Sequence, residues 1–455
     1  MSETAGRADS QSRLRRIAAH VGPTWIAGAI AAGPATMASL VAAGAGYGYT
    51  LLWVVVLSAG FGALAQYLAG LVGLHTEAGI VSVVEEHLGS GWAWLLVADV
   101  VLAAGLAQLI IMKTVAAVSS TLVAGSPELW GVVWAVVFAL TLAGGGYAIL
   151  EWGAKLLVSG VVLLFVASVF LVPVDAGAAA AGLVPSVPDV DAALLAAAIL
   201  GGAVHVTLIT MQSYTMRARR WTADDGGLLR IDVLGSMLVA FGCYSLAIFV
   251  VAASVLDPSQ GGSALGAAQA LGPAVGDSAE SLFLLGLAGA AVTTLGANTV
   301  VPPYLVADKF GWERSVDDDR FRLAIVAFAA AGAIGPFLGG TFFQLLSLTL
   351  AFGLVGTPFA LVVVLALLHD PDAVPVTPSI GATVGGIVLV GVTTVIAGDF
   401  VRGEWETLAS NGPAAEPTAA AVVVFAIVLG FATLGVAVTA VRNALGRRDA
   451  ATVAN

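Results

Sequence analysis

A series of apolar stretches, each long enough to cross a bilayer, constrains this chain more than any other feature. Hydrophobic residues make up 59% of its 455 residues and charged residues only 10%, whereas a soluble domain usually carries about 25% charged residues. A transmembrane helix needs about 20 apolar residues. We therefore predict an all-α polytopic membrane protein with about twelve transmembrane helices, at approximately 24–45, 50–73, 92–122, 128–147, 152–174, 192–216, 229–254, 279–306, 322–341, 343–369, 380–398 and 418–441.

The basic residues are unevenly distributed along the chain. Fifteen of the eighteen Lys and Arg residues lie in the two polar tails or in loops around 217–230 and 309–322. With an even number of spans these segments face one side of the membrane, which the positive-inside rule makes the cytoplasm. We expect a multi-pass protein of the cell membrane with both termini cytoplasmic. Its parts would be tails at 1–20 and 443–455, a ten-span core at 21–370 and two additional spans at 371–442.

Two of the apolar stretches are interrupted at midspan by small and polar residues. The first interruption reads Gly33-Pro34-Ala35-Thr36, and the second, five spans later, reads His205-Val206-Thr207-Leu208. Proline removes a backbone donor, and glycine leaves the backbone open to a ligand. Transporters built from two inverted repeats bind their substrate where two broken helices meet at the membrane midplane. The pattern predicts a 5+5 inverted repeat with broken helices 1 and 6, plus two extra helices.

The chemistry expected at this site centres on one titratable side chain. A histidine inside the membrane is a functional-site hypothesis by default, and the imidazole of His205 can ligate a metal, carry a proton or bond a helix carbonyl. An interhelical hydrogen bond without a transport role is the alternative. We predict that six residues contact the substrate and that two of them, His205 and Thr36, are metal ligands. The six are Gly33, Pro34, Ala35, Thr36, His205 and Thr207.

Signatures of other functional classes are missing from the sequence. It contains no His-Glu-x-x-His, no nucleophile elbow and no Walker A loop, which are motifs of common enzyme classes. The single cysteine, Cys243, offers neither a disulfide nor a cysteine metal site. We expect no enzyme activity, no cofactor and no nucleic-acid partner. The expected partners are the lipid bilayer and a transported cation or small solute.

Several short motifs lie in or next to the predicted spans. They are Gly22-Pro23, Gly48-Tyr49-Thr50-Leu51-Leu52-Trp53, Tyr147-Ala148-Ile149-Leu150-Glu151, Gly201-Gly202-Ala203-Val204, Tyr304-Leu305-Val306-Ala307 and Phe310-Gly311-Trp312. Together they resemble the NRAMP family of divalent-metal transporters. The similarity covers roughly residues 20–370. It implies the LeuT-type fold with a 5+5 inverted repeat.

The residues that carry this family's chemistry are replaced, so the resemblance implies a divergent member. The family's Asp-Pro-Gly-Asn falls on 33–36 and its Met-Pro-His-Asn falls on 205–208. Its third-span acidic pair, its second sixth-span histidine and its tenth-span glutamine fall on Gly105, Gln108, Gln212 and Leu350. Hard divalent ions prefer carboxylate oxygen, which none of these positions supplies.

The leading hypothesis is a secondary transporter for a divalent cation of the Mn/Fe/Mg class, without the family's usual proton coupling. A permease for a small organic solute on the same fold stays open, because the predicted site has no carboxylate. A non-transporting membrane sensor is the third class.

Asp99 and Lys113 share the third span but lie about 21 Å apart along its axis, so they cannot pair directly within it.

Overall fold

The chain folds into helices joined by turns. The computed structural model describes residues 31–144, 159–261 and 263–454, and these contain no β-strand. Helices α1 to α9 span Pro34–Tyr47, Leu52–Thr76, Ile80–His87, Ser90–Val123, Pro127–Ala143, Ser159–Val169, Ala176–Ala181, Val190–Val204 and Val206–Ala218. Helices α10 to α18 span Gly226–Val233, Gly242–Val255, Ala264–Ala268, Gly272–Val275, Ala279–Phe310, Asp319–Gly332, Phe342–Leu368, Ile380–Asn411 and Pro417–Ala454. A π-helical segment, Leu234–Phe241, joins α10 to α11.

The predicted apolar segments are helical over most of the residues that the structure describes. Within the described ranges, nine helical stretches are long and apolar enough to cross a membrane, and α5 and α6 are shorter apolar helices. Several ends differ from the prediction. The helices in the predicted spans 152–174 and 322–341 end early, at Val169 and Gly332. Helix α17 instead continues past 398 to Asn411, and α18 continues to Ala454 through the segment expected to be a tail. The Gly22-Pro23 and Tyr147–Glu151 motifs lie outside the described residues.

The helices divide into an enclosed centre and a periphery. In the most apolar part of the α8–α9 stretch 89% of residues are buried, whereas the value is 28% for both α17 and α18. Helix α8 packs against α1, α2 and α16, and α4 packs along α14. The last two spans therefore lie at the edge of the bundle, while the two interrupted segments lie inside it.

A buried carboxylate ties three helices together at one end of the bundle. Asp308, near the end of α14, accepts hydrogen bonds from Ser82 Oγ in α3 at 2.6 Å and from Tyr214 OH in α9 at 2.8 Å. Arg314 also pairs with it, at 2.5 Å. Beside this cluster Lys309 donates to Glu85, and that hydrogen bond holds the pKa of the Glu85 carboxyl below its ordinary value.

Candidate substrate site between two helix breaks

The first helix break lies at Ala32 and Gly33, so it begins one residue before the predicted stretch 33–36. Gly33 has an extended backbone (φ −69°, ψ 178°) and caps α1, which begins at Pro34. Proline suits the first position of a helix because its missing N–H would have no partner there and its φ is already helical. The break was expected near 33–36, and the structure places it at the start of that stretch. Pro34, Ala35 and Thr36 form the first turn of the half-helix.

The second break consists of a single residue. His205 has φ −58° and ψ 138°, so it ends α8 and caps α9, and Val206, Thr207 and Leu208 are already helical. Its Nδ1 atom lies 2.8 Å from Thr207 Oγ1, and the Thr207 backbone N–H donates to Nδ1 at 3.4 Å. The break was expected near 205–208, and the structure confines it to the first of these residues, which ends one helix and begins the next.

At each break a backbone carbonyl accepts a hydrogen bond from a threonine hydroxyl. Thr36 Oγ1 donates to the carbonyl of Ala31 across the first break. Thr357 Oγ1, in α16, donates to the carbonyl of Val204 at 2.8 Å, beside the second break. Buried carbonyls need such partners, because leaving them unpaired in a membrane interior is costly.

The two breaks meet at one small cavity. A Cβ atom placed on Gly202 would lie 2.6 Å from Thr36 Oγ1, so the glycine permits the close approach of α8 to α1. The cavity has a volume of about 40 Å³, and its lining comprises Ala31, Gly33, Pro34, Ala35, Thr36, Ala107, Ile111, Gly202, His205, Thr207, Leu208, Thr294, Asn298, Thr349 and Leu350. All six predicted site residues are therefore brought together.

Hydroxyl and amide groups, with one imidazole, make up the polar lining. No carboxylate lies among the lining residues, and the described part of the chain has no cluster of three or more His, Cys, Asp or Glu side chains that could hold a metal. Nε2 of His205 is buried and has no hydrogen-bond partner. The predicted equivalent of the family's tenth-span glutamine, Leu350, does line the cavity, but it contributes only apolar surface.

Asn298 is the lining residue whose importance the sequence did not reveal. Its Nδ2 group donates to the carbonyl of Ala104 at 2.8 Å and to Gln108 Oε1 at 3.2 Å, and Gln108 in turn donates to Thr299 at 2.9 Å. This network holds the amide of Asn298 at the cavity wall. Gln108, which stands where an acid was expected, serves to join α4 to α14.

A second titratable group lies outside the cavity in α4. Asp99 is 1% exposed, and neither carboxylate oxygen has a hydrogen-bond partner. It packs against Gly356 of α16, where a Cβ atom would lie 2.2 Å from its Oδ1. Lys113 instead donates to the carbonyl of Leu338. Asp99 precedes the lining residue Ala107 by about 12 Å along the helix axis, so it is near the site but not part of it.

Comparisons with known proteins agree with this architecture. A family model for Nramp, natural resistance-associated macrophage protein-like, matches residues 24–402. The divalent metal cation transporter MntH of Mycobacterium tuberculosis is 28% identical over 305 residues, which is 64% of this chain and 70% of that protein. MntH of Aeromonas hydrophila is 28% identical over 397 residues, which is 81% of this chain and 93% of that protein.

The structural comparison concerns the fold alone. A crystal structure of the Eremococcus coleocola manganese transporter superimposes with a TM-score of 0.71 at 16% identity, covering 94% of this chain and 95% of that one. The all-helical transporter fold expected from the paired interruptions is thereby confirmed.

Proposed function

The chain belongs to the Nramp family of membrane transporters, and from this premise we propose that it carries a divalent cation of the Mn/Fe/Mg class through the cavity between the two breaks. The relatives named above are divalent metal transporters, which supports the class of substrate. The observation that carries the proposal is the cavity itself: its size and its donor atoms suit an ion that has lost most of its water.

Cavity size favours an ion over an organic molecule. A cavity needs roughly 10–15 Å³ of probe-occupied volume for each water-sized occupant, so the observed 40 Å³ holds about three. An ion with two retained waters fits this space. An organic solute with many heavy atoms requires the helices around the cavity to separate.

The donor set favours a borderline ion such as Mn²⁺ or Fe²⁺ within the proposed class. Imidazole nitrogen suits transition metals, whereas Mg²⁺ and Ca²⁺ prefer carboxylate, carbonyl and water oxygen. Metal binding at Nε2 requires the tautomer in which Nδ1 carries the proton and donates to Thr207 Oγ1, in place of accepting from the Thr207 N–H. It also requires the ring to turn Nε2 away from Gly353 and toward the cavity. Thr36 and Asn298 would add oxygen ligands, and retained waters would complete the shell.

We further propose that transport proceeds with little proton movement. The positions where the family's acidic pair and second histidine were expected hold Gly105, Gln108 and Gln212, and none of these side chains exchanges protons near neutral pH. Gln108 is committed to hydrogen bonds with α14. Among the cavity-lining residues His205 alone is titratable.

Uptake by proteoliposomes tests the proposal. Vesicles containing the full chain and a Mn²⁺-quenched dye should lose fluorescence when Mn²⁺ is added outside, and vesicles with His205→Ala should lose it far more slowly. Absence of Mn²⁺, Fe²⁺ and Mg²⁺ uptake by well-folded protein would contradict the proposed class of substrate.

A permease for a small organic solute is the second candidate, and the missing carboxylate favours it. The N-terminal ends of α1 and α9 both begin at the cavity, and helix N-termini carry partial positive charge that opposes a bare cation. A thermal-shift screen separates the candidates, because a metal substrate stabilises the protein at micromolar Mn²⁺ while an organic substrate stabilises it without metal.

A further inference from the structure

We propose that a groove between α2 and α10, continuing along the π-helical segment, binds one anionic phospholipid. The groove has a volume of about 430 Å³ and is separate from the substrate cavity. Four residues of α2 and four from α10 and the π-helical segment line it: Gly60, Ala63, Leu64, Tyr67, Arg230, Val233, Leu234 and Leu238.

The spacing of these residues places the groove, called the channel below, along the sides of the two helical segments. The α2 residues recur at intervals of three and four, and so place one face of the helix on the groove. Residues 60 to 67 extend over about 10 Å of helix axis. Gly60 has no side chain and Ala63 has only a methyl group, so α2 leaves space in the channel at these positions.

Charge is confined to one end of this channel. The guanidinium of Arg230 lies 6.0 Å from the ring centroid of Tyr67, within cation–π range, and no ion pair in the described ranges involves Arg230. Arg230 is exposed, and it is the charged residue among those that line the groove. Basic pockets between transmembrane helices at the membrane surface bind anionic lipid headgroups.

The remainder of the channel is apolar and open to the bilayer. Leu234 is 51% exposed and Leu238 is 47% exposed, so their side chains meet lipid rather than protein. A ligand with a phosphate at the Arg230 end and a hydrocarbon chain along Leu234 and Leu238 matches both features. An anionic phospholipid has this chemistry, and a free phosphate lacks the part that the apolar walls would hold.

Native mass spectrometry of the full chain, incubated with equal amounts of phosphatidylglycerol and phosphatidylcholine, tests the proposal. The wild type should retain phosphatidylglycerol preferentially. Arg230→Gln should reduce that retention about fivefold, the equivalent of roughly 1 kcal/mol for one basic residue. Arg217→Gln, which removes an exposed arginine outside the groove, should leave it unchanged.

A second variant examines the apolar part without altering charge. A Cβ atom on Gly60 meets nothing within 4 Å, so Gly60→Leu should fold normally while filling the channel, and it should also displace phosphatidylglycerol. The proposal is overturned if both lipids are retained equally by the wild type, if the two arginine variants behave alike, or if folded Gly60→Leu retains the lipid.

Discussion

The unpartnered Nε2 atom of His205 faces Gly353 so closely that a Cβ atom on residue 353 would lie 1.9 Å from it. The imidazole of His205 therefore occupies space that any side chain at position 353 of α16 would fill. Because residue 353 has no side chain, the ring fits against α16, with Nδ1 beside Thr207 Oγ1 and Nε2 beside Gly353. This relationship connects helix packing directly to the proposed ligand.

His205→Ala should weaken Mn²⁺ binding more than tenfold, or by more than about 1.4 kcal/mol, because it removes the single nitrogen ligand. Isothermal titration of the purified protein measures this. Binding to the wild type should also weaken as pH falls, since a protonated imidazole cannot ligate. His369→Ala, at an exposed histidine, is the control and should bind as the wild type does. Equal binding by the two variants and no pH effect would leave His205 a packing residue.

Gly353→Ala should impair metal binding without removing any ligand. The added methyl group must push the His205 ring out of its place, and the loss should approach that of His205→Ala. Gly105→Ala is the matched control, because a Cβ atom there meets nothing within 4 Å. If Gly353→Ala binds Mn²⁺ normally, the orientation of the ring is not important for binding.

Mn²⁺ uptake should acidify the vesicle lumen little or not at all. A pH-sensitive dye inside proteoliposomes, read together with Mn²⁺ entry, gives the ratio of protons to metal. Asp99→Asn is the informative variant, because Asp99 is the buried carboxylate nearest the site in α4. Strong acidification that disappears in Asp99→Asn would refute weak coupling and identify Asp99 as the group that carries the proton.

Asp308→Asn should loosen α3 from the end of the bundle. Hydrogen bonds to charged groups contribute about 1.5–3 kcal/mol each, so loss of one should lower the free energy of local opening by about 2 kcal/mol. Hydrogen exchange of residues 80–87 should then accelerate. Glu85→Gln makes the same chemical change at a side chain that is 38% exposed, and such surface pairs contribute little. Similar exchange in the two variants would show that the Asp308 cluster does not hold α3.

Thiol labelling tests the predicted orientation in the membrane. In a Cys243→Ser background, Glu313→Cys should react with an impermeant maleimide only after cells are opened, because it lies in a basic loop. Ser410→Cys, in the last turn of α17, should react in intact cells. The reverse pattern would place the termini outside.

Sequence reasoning found the position of the site better than its shape. Gly33-Pro34 and His205 mark both breaks, because proline and a polar residue in an apolar span are visible without a structure. Their extent was overestimated, since Pro34 and Thr207 are compatible with a first helical turn and only the tertiary arrangement decides which role they take. Asp99 was considered only against Lys113 on its own helix, whereas its neighbour Gly356 is more than 250 residues away in sequence.

The threonine bonds at the two breaks affect what the protein can do when it is empty. Thr36 and Thr357 satisfy the carbonyls of Ala31 and Val204 with no substrate present, so the unloaded site carries no unmet backbone acceptor at these points. Release of the proposed substrate would therefore leave neither carbonyl unpaired, and these two bonds would not oppose emptying of the site.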